Sequence, residues 1–407
     1  MEHEEVSTPL KHRSPTTYIL FYALGTVTLV PFYFFATAAD YWMYKFRDPE
    51  SNVSYSNENR TGLQAAFIPV YSTVSYISIV VFIILTIRWI RKLTILVRII
   101  MTLCGTITVF VSTFVFVRDD TDSWQTGFMV TTLLTAFLLR GFCGIFLVTL
   151  FEMVLQFSPI YLAVIFSGQA ICRILSALVE IVLLNTDADP AVNGFVYFLS
   201  GMLIVVLTLL GFFFSLSMSQ FFKHHFWKER EVVKLEVSKE KCRTILHKLK
   251  FYLLSMVISS GSTTIIDFRV TSVVISVDQS SGSGSQDEYF GSVITLVYCI
   301  SDYFGREFAM LLRKPSRPSQ GLVLLCAACI RVVLVPLPVV CNEDYVYIIF
   351  VIIFASTNGF LINMCIIRGS QILADDEKPL AMLFIIIFIY ISSVMGSLVG
   401  KGLVQAF

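Results

Sequence analysis

Blocks of apolar residues approaching twenty in length recur along this chain, and they leave it few ways to fold. Tyr76–Ile87, Ile99–Val117 and Met382–Val394 are examples. A helix of about twenty residues crosses the hydrocarbon core of a bilayer. Within that core every backbone N–H and C=O must find an internal partner, which a helix provides. The composition agrees: 56% of the 407 residues are hydrophobic and 14% are charged, where soluble domains run near a quarter charged. The chain reads as an all-α polytopic membrane protein.

Eleven spans are expected, at about 17–41, 66–87, 96–117, 126–155, 160–184, 194–217, 250–275, 290–311, 320–340, 345–367 and 380–405. The fourth reads as a long or broken helix. No cleavable signal peptide is expected, because the first apolar block is full length and follows a polar leader. Residues 1–16 form an amino-terminal segment and 17–218 a six-helix bundle with an outer loop at 43–65. Residues 219–249 form a basic linker, and 250–407 a five-helix bundle. A six-plus-five division suggests two bundles meeting at a central site, although no sequence repeat relates the halves.

Lys and Arg orient the chain. With the amino terminus in the cytoplasm, 20 of the 30 basic residues fall on the cytoplasmic side and five on the other. Arg98 is counted with the cytoplasmic loop 88–98. The remaining five, Arg140, Arg173, Arg269, Arg306 and Arg331, are intramembrane. The sequons Asn52-Val53-Ser54 and Asn59-Arg60-Thr61 then lie outside, making Asn52 and Asn59 expected glycosylation sites. The amino terminus is expected in the cytoplasm, the carboxyl terminus outside, and the protein at the plasma membrane or an intracellular membrane.

Charge inside an apolar block is costly and usually functional. Asp302 and Arg306 are four residues apart in Ser301-Asp302-Tyr303-Phe304-Gly305-Arg306, so both project from one helix face. Such a pair marks a transport pathway or ties two helices together. Arg140, Glu152, Arg173 and Glu180 are a second candidate group. Arg173 and Glu180 share a face over two turns, and pairing with Arg140 or Glu152 would make either an interhelical brace or a charge relay. Arg331 precedes Val335-Pro336-Leu337-Pro338 and reads as a brace for a broken helix. The five histidines all lie in expected cytoplasmic segments, and His224-His225 are neighbours that share no helix face. No catalytic triad, phosphate loop or metal motif is legible, so no enzymatic activity and no cofactor is expected. Cys326 and Cys329 have redox spacing but sit in an apolar block, where they read as small core residues.

Four short elements carry a family resemblance. These are Leu24-Gly25-Thr26-Val27-Thr28-Leu29-Val30-Pro31-Phe32, Leu150-Phe151 with Phe166-Ser167-Gly168-Gln169, Asp302-Tyr303-Phe304-Gly305-Arg306, and Ser356-Thr357-Asn358-Gly359. In order and spacing they resemble the equilibrative nucleoside transporters (solute carrier 29), of which this chain would be a divergent member. The resemblance implies a major-facilitator-like arrangement that moves nucleosides down a gradient by alternating access. It implies that Asp302 and Arg306 engage ribose hydroxyls, and that Leu29, Phe32, Tyr76, Ile79 and Leu147 line the cavity. Two positions depart from the family pattern. Phe32 stands where a tryptophan is common, and Leu147 where a glutamine bonds the nucleobase. Gly25, Gly168 and Gly359 allow close helix approach.

The residues leave three readings. The first is facilitative nucleoside transport. The second is a same-fold transporter of a nucleobase or an organic cation, or proton-coupled nucleoside uptake; against the cation, Gly168 stands where some relatives place an acid. The third is a non-transporting receptor or scaffold. The expected partners are a small-molecule substrate and the lipid bilayer, with no nucleic acid and no obligate protein partner.

Overall fold

The computed structural model describes residues 14–49, 61–157, 160–186, 188–227, 238–273, 284–312, 320–333 and 344–406; for 266–273, 284–289, 344 and 400–406 it describes the backbone. Asn52, Asn59 and Val335–Pro338 lie outside the described residues. In chain order the helices are α1 Pro15–Val27, α2 Val30–Ala36, α3 Ala39–Lys45, α4 Gly62–Arg88, α5 Ile95–Arg118, α6 Gln125–Val154 and α7 Ile160–Leu184. They continue with α8 Pro190–Met218, α9 Gln220–Trp227, α10 Lys239–Val273, α11 Gly284–Leu311, α12 Gln320–Val333, α13 Asp344–Gln371 and α14 Lys378–Ala406.

Among the described residues, seven helices are long and apolar enough to cross a membrane: α4 to α8, Tyr345–Gln371 of α13 and Lys378–Val399 of α14. The pair α1 and α2, bent by 48°, makes an eighth. These eight coincide with eight of the expected segments. Helices α10, α11 and α12 occupy the other three.

For two single spans the structure settles the form: the fourth takes the long alternative, and the first differs from what was expected. The fourth segment is one unbroken 30-residue helix, α6. The first, expected as one helix over 17–41, is broken after Val27. Pro31 explains the break: it has no N–H to donate, and its ring clashes with the carbonyl four residues back. The chain tightens there, Thr28 N–H donating to Gly25 O and Leu29 N–H to Thr26 O. Side chains of neighbouring helices reach carbonyls at the break and in the turn after it. Tyr71 donates to Phe32 O at 3.0 Å, and Arg140 reaches Thr28 O at 3.5 Å.

The helices pair in a repeated way. In the amino-terminal half α1 packs on α7 and α4 on α6; in the carboxy-terminal half α10 packs on α14 and α11 on α13. The first apolar helix of each half therefore meets the fifth, and the second meets the fourth. Small residues permit the closest crossings. A Cβ at Gly25 would stand 2.2 Å from Ile165 O, and one at Gly168 2.2 Å from Tyr22 O. At Gly305 it would stand 2.1 Å from Ser356 O, and at Gly359 2.0 Å from Asp302 O. Real Cβ atoms do not approach so closely, so only glycine lets these backbones touch.

The halves meet along α7 with α11 and α4 with α14. Beneath the amino-terminal half, α9 inserts Phe222 and Phe226 into an aromatic cluster with Phe21, Phe157 and Phe212. The start of the expected linker is thus a packed helix, and its end, from Lys239, is already the first turns of α10.

Candidate functional site

Asp302 is completely buried on α11. The four-residue spacing brings Arg306 onto the same face, and Arg306 Nε donates to Asp302 Oδ2 at 2.9 Å. The second carboxylate oxygen is held from α13, where Asn358 Nδ2 donates to Oδ1 at 2.7 Å. Arg173 of α7 brings a second cationic contact, with Nη1 4.0 Å from Oδ2. A buried carboxylate is tolerated only when paired and hydrogen-bonded, and three helices meet that requirement here.

The network continues in both directions. Asn358 Oδ1 accepts from Thr263 Oγ1 at 2.9 Å, and Thr263 Oγ1 accepts from Arg331 Nη2 at 2.8 Å. Arg331 also donates to Ser259 O and Ser262 Oγ and lies 3.6 Å over the Phe354 ring. Arg331 is therefore a buried clamp joining α12 to α10 and α13. On the other side Arg306 Nη1 donates to Phe166 O of α7 at 2.8 Å. That bond crosses from one half to the other. Asn363 supports it by donating to Arg306 O at 3.2 Å.

A second group forms around the break in the first span. Phe32 stacks on Tyr71 with centroids 5.6 Å apart and also meets Tyr33 and Tyr76. Arg140 lies 5.0 Å over the Phe32 ring and 5.9 Å from that of Tyr390 on α14. Arg173 lies 5.4 Å from Tyr33 and 4.8 Å from Tyr298. The adjacent rings of Phe32 and Tyr33 thus stand between two guanidinium groups. Leu29 sits in the break itself, half-buried. Ile79 is buried at the α4–α6 crossing, where its carbonyl would stand 3.0 Å from a Cβ at Gly144. Leu147, also buried, is on the α6 face that carries Arg140, two turns away.

The four residues expected as one charge group are not brought together. Glu152 is bound by Arg98 and Arg91 at one end of α6. Arg98, counted with a loop from the sequence, lies in the first turn of α5 and is buried. Glu180 accepts from Ser292 Oγ of α11 at 3.0 Å. Arg173 goes to Asp302 and Arg140 to Phe32. Sequence spacing identifies a shared face on one helix but not which neighbouring helix supplies the partner. Missed at the sequence level were Thr263 and Asn363, since an uncharged polar residue in an apolar helix carries no signal that separates it from packing, and the buried role of Arg98, which spacing assigned to a loop.

Glu307, one residue past Arg306, accepts from Tyr22 Oη of α1, a further bond between the halves. Cys326 and Cys329 are free thiols on the exposed surface of α12. Among the described residues, no group of three His, Cys, Asp or Glu side chains is placed to hold a metal.

The family profile described as nucleoside transporter matches residues 133–401. The chain is 23% identical to human equilibrative nucleoside transporter 1, over 95% of this chain and 96% of that protein. It is 21% identical to rat equilibrative nucleoside transporter 3, over 93% and 87%. It is also 21% identical to rat equilibrative nucleoside transporter 2, over 89% and 91%.

Proposed function

Because the chain belongs to the nucleoside transporter family, we propose that Asp302 and Arg306 form the sugar end of a central substrate site. The protein is a facilitative nucleoside transporter. In our reading it works by alternating access, with α1–α9 and α10–α14 rocking about the site between them. The repeated helix pairing supports two bundles of one architecture, six spans and then five, once α10, α11 and α12 are counted as crossing. The excess of Lys and Arg in one set of loops supports a cytoplasmic amino terminus and an external carboxyl terminus. The plasma membrane is the proposed location. No reaction is assigned to the protein.

One observation carries the site assignment. Asp302 is a fully buried carboxylate at the junction of the halves, bonded to Arg306, which in turn bonds the opposite half at Phe166. A carboxylate accepts from a vicinal diol and a guanidinium donates to its oxygens. The two groups neutralise each other when no sugar is bound. Phe32, Leu29, Tyr76, Ile79 and Leu147 form the proposed base end. The buried guanidinium groups of Arg140 and Arg173 oppose a cationic substrate, which favours nucleosides over organic cations. Arg140, Glu152, Arg173 and Glu180 are assigned separate structural and site roles in place of one relay.

Uptake of radiolabelled uridine and adenosine by cells expressing the chain tests this assignment. Asp302→Ala and Arg306→Ala are expected to abolish uptake at normal surface expression. Removing one partner of a buried ion pair costs about 3–5 kcal/mol, so Asp302→Asn, which keeps the shape, is the companion variant. Full uptake in all three would remove these residues from the site.

A further inference from the structure

Arg140 is the most buried cationic side chain among the described residues, and the assigned function gives it no contact with the substrate. It is 1% exposed in the middle of α6. Among the described residues no carboxylate lies within 4.0 Å of its guanidinium. Its Nε has no hydrogen-bond partner, Nη1 reaches Thr28 O only at the long distance of 3.5 Å, and its side-chain partners, Cys143 and Tyr390, are uncharged groups. Phe32, Tyr71, Tyr76, Cys143 and Tyr390 surround it. None of these is an anion at neutral pH. A buried guanidinium left this way is expensive to keep, and a ligand with well-placed acceptors would offset that cost.

Its position says which part of the ligand that is. Arg140 lies over Phe32 and near Tyr76, two of the residues of the proposed base end. It shares its helix face with Leu147, which has no polar atom to read a base. Seven residues at 1.5 Å each put Arg140 about 10 Å along the helix from Leu147. We infer that Arg140 reads the nucleobase, and that this site prefers bases presenting acceptor oxygens, the 6-oxopurines and uracil, over their amino counterparts. This rests on the reading of the protein as a nucleoside transporter. The chemistry is that of guanidinium with a purine edge. Oxygen O6 and nitrogen N7 both accept, giving a bidentate contact, whereas adenine presents its N6 amino donor at the same edge. Uracil O4 accepts where the cytosine N4 amino group donates. Two donors facing each other in a buried site are left unsatisfied.

The experiment compares uptake of inosine with adenosine, and of uridine with cytidine, by the full chain and by Arg140→Gln and Arg140→Lys, with surface expression measured for each. The wild type is expected to favour inosine about five- to 150-fold in Vmax/KM, the range one bidentate contact supports, and uridine by a smaller factor because O4 is a single acceptor. Arg140→Gln is expected to bring both ratios near one while keeping discrimination against 2′,3′-dideoxynucleosides, which reports the sugar end. Arg140→Lys is expected to retain part of the preference. Equal uptake of inosine and adenosine by the wild type, or an unchanged ratio in Arg140→Gln, would overturn the inference and leave nucleoside transport standing. Uptake of none of the four nucleosides would overturn both. If Arg140→Gln fails to reach the surface, the wild-type uptake ratios and the thermal stabilisation of purified wild-type protein by inosine against adenosine decide. Inhibition by a nucleoside monophosphate far below nucleoside concentrations would assign Arg140 to a phosphate and overturn base reading.

Discussion

At the scale of single residues, the site is governed by what surrounds one carboxylate. Asp302 was legible in the sequence because a charge inside an apolar block stands out. Arg306 followed from helical spacing. Asn358 appeared only as part of a short motif, and Thr263 not at all, because uncharged polar residues are common in membrane helices. Yet Asn358 holds the Asp302 oxygen that Arg306 Nε leaves free. Asn358→Leu is therefore expected to destabilise the protein by about 1.5–3 kcal/mol, the value of a hydrogen bond to a charged group, read as a lowered unfolding temperature in detergent. Nucleoside affinity is expected to fall with it. An unchanged melting temperature would show that Asp302 does not depend on this bond. Glu152 teaches the converse lesson. Its charge was legible, but its partners Arg98 and Arg91 come from the preceding helix and loop, and helix-to-helix proximity is not written in local spacing.

At the scale of elements, hydropathy located eight of the expected spans because burial in lipid imposes a length and a polarity that survive in any sequence context. It did not locate the break in the first span, since Pro31 lies in a run as apolar as its neighbours and local backbone chemistry decides the outcome. The glycine crossings were partly legible, from Gly25, Gly168 and Gly359. Gly359→Ala puts a methyl group 2.0 Å from Asp302 O, so α11 and α13 must separate at the site. Loss of surface expression or of uptake is expected. Gly211→Ala on α8 meets nothing within 4 Å and is expected to leave both unchanged. Outside the spans, Lys248 bonds both oxygens of Glu377 ahead of α14, at 2.7 and 2.9 Å. That contact holds the Glu377 carboxyl below the usual glutamate range. A depressed value stabilises the fold above the ordinary glutamate pKa, and the contribution is lost as pH falls through the folded value. Glu377→Gln is thus expected to flatten the acid side of a stability-against-pH curve and to leave the curve above neutrality unchanged in shape.

At the scale of the whole molecule, the two halves repeat one pairing of helices although their sequences show no repeat. Packing geometry needs small residues at crossings and apolar residues elsewhere, and many sequences satisfy both. The halves are also tied across their boundary, by Tyr22 to Glu307 and by Arg306 to Phe166. Tyr22→Phe is expected to raise hydrogen exchange in residues 15–24 and 303–311 and to leave α8 unchanged. Equal protection in the variant would show that the first of these bonds does not hold the halves together. The second bond has a further consequence. The guanidinium proposed to receive the sugar is the same group that fastens α11 to the opposite half. On that proposal a bound ribose competes with the closure of the empty carrier. By linkage, whatever the sugar gains at Arg306 loosens the seam by the same amount, so filling the site and freeing the halves to move become one event rather than two.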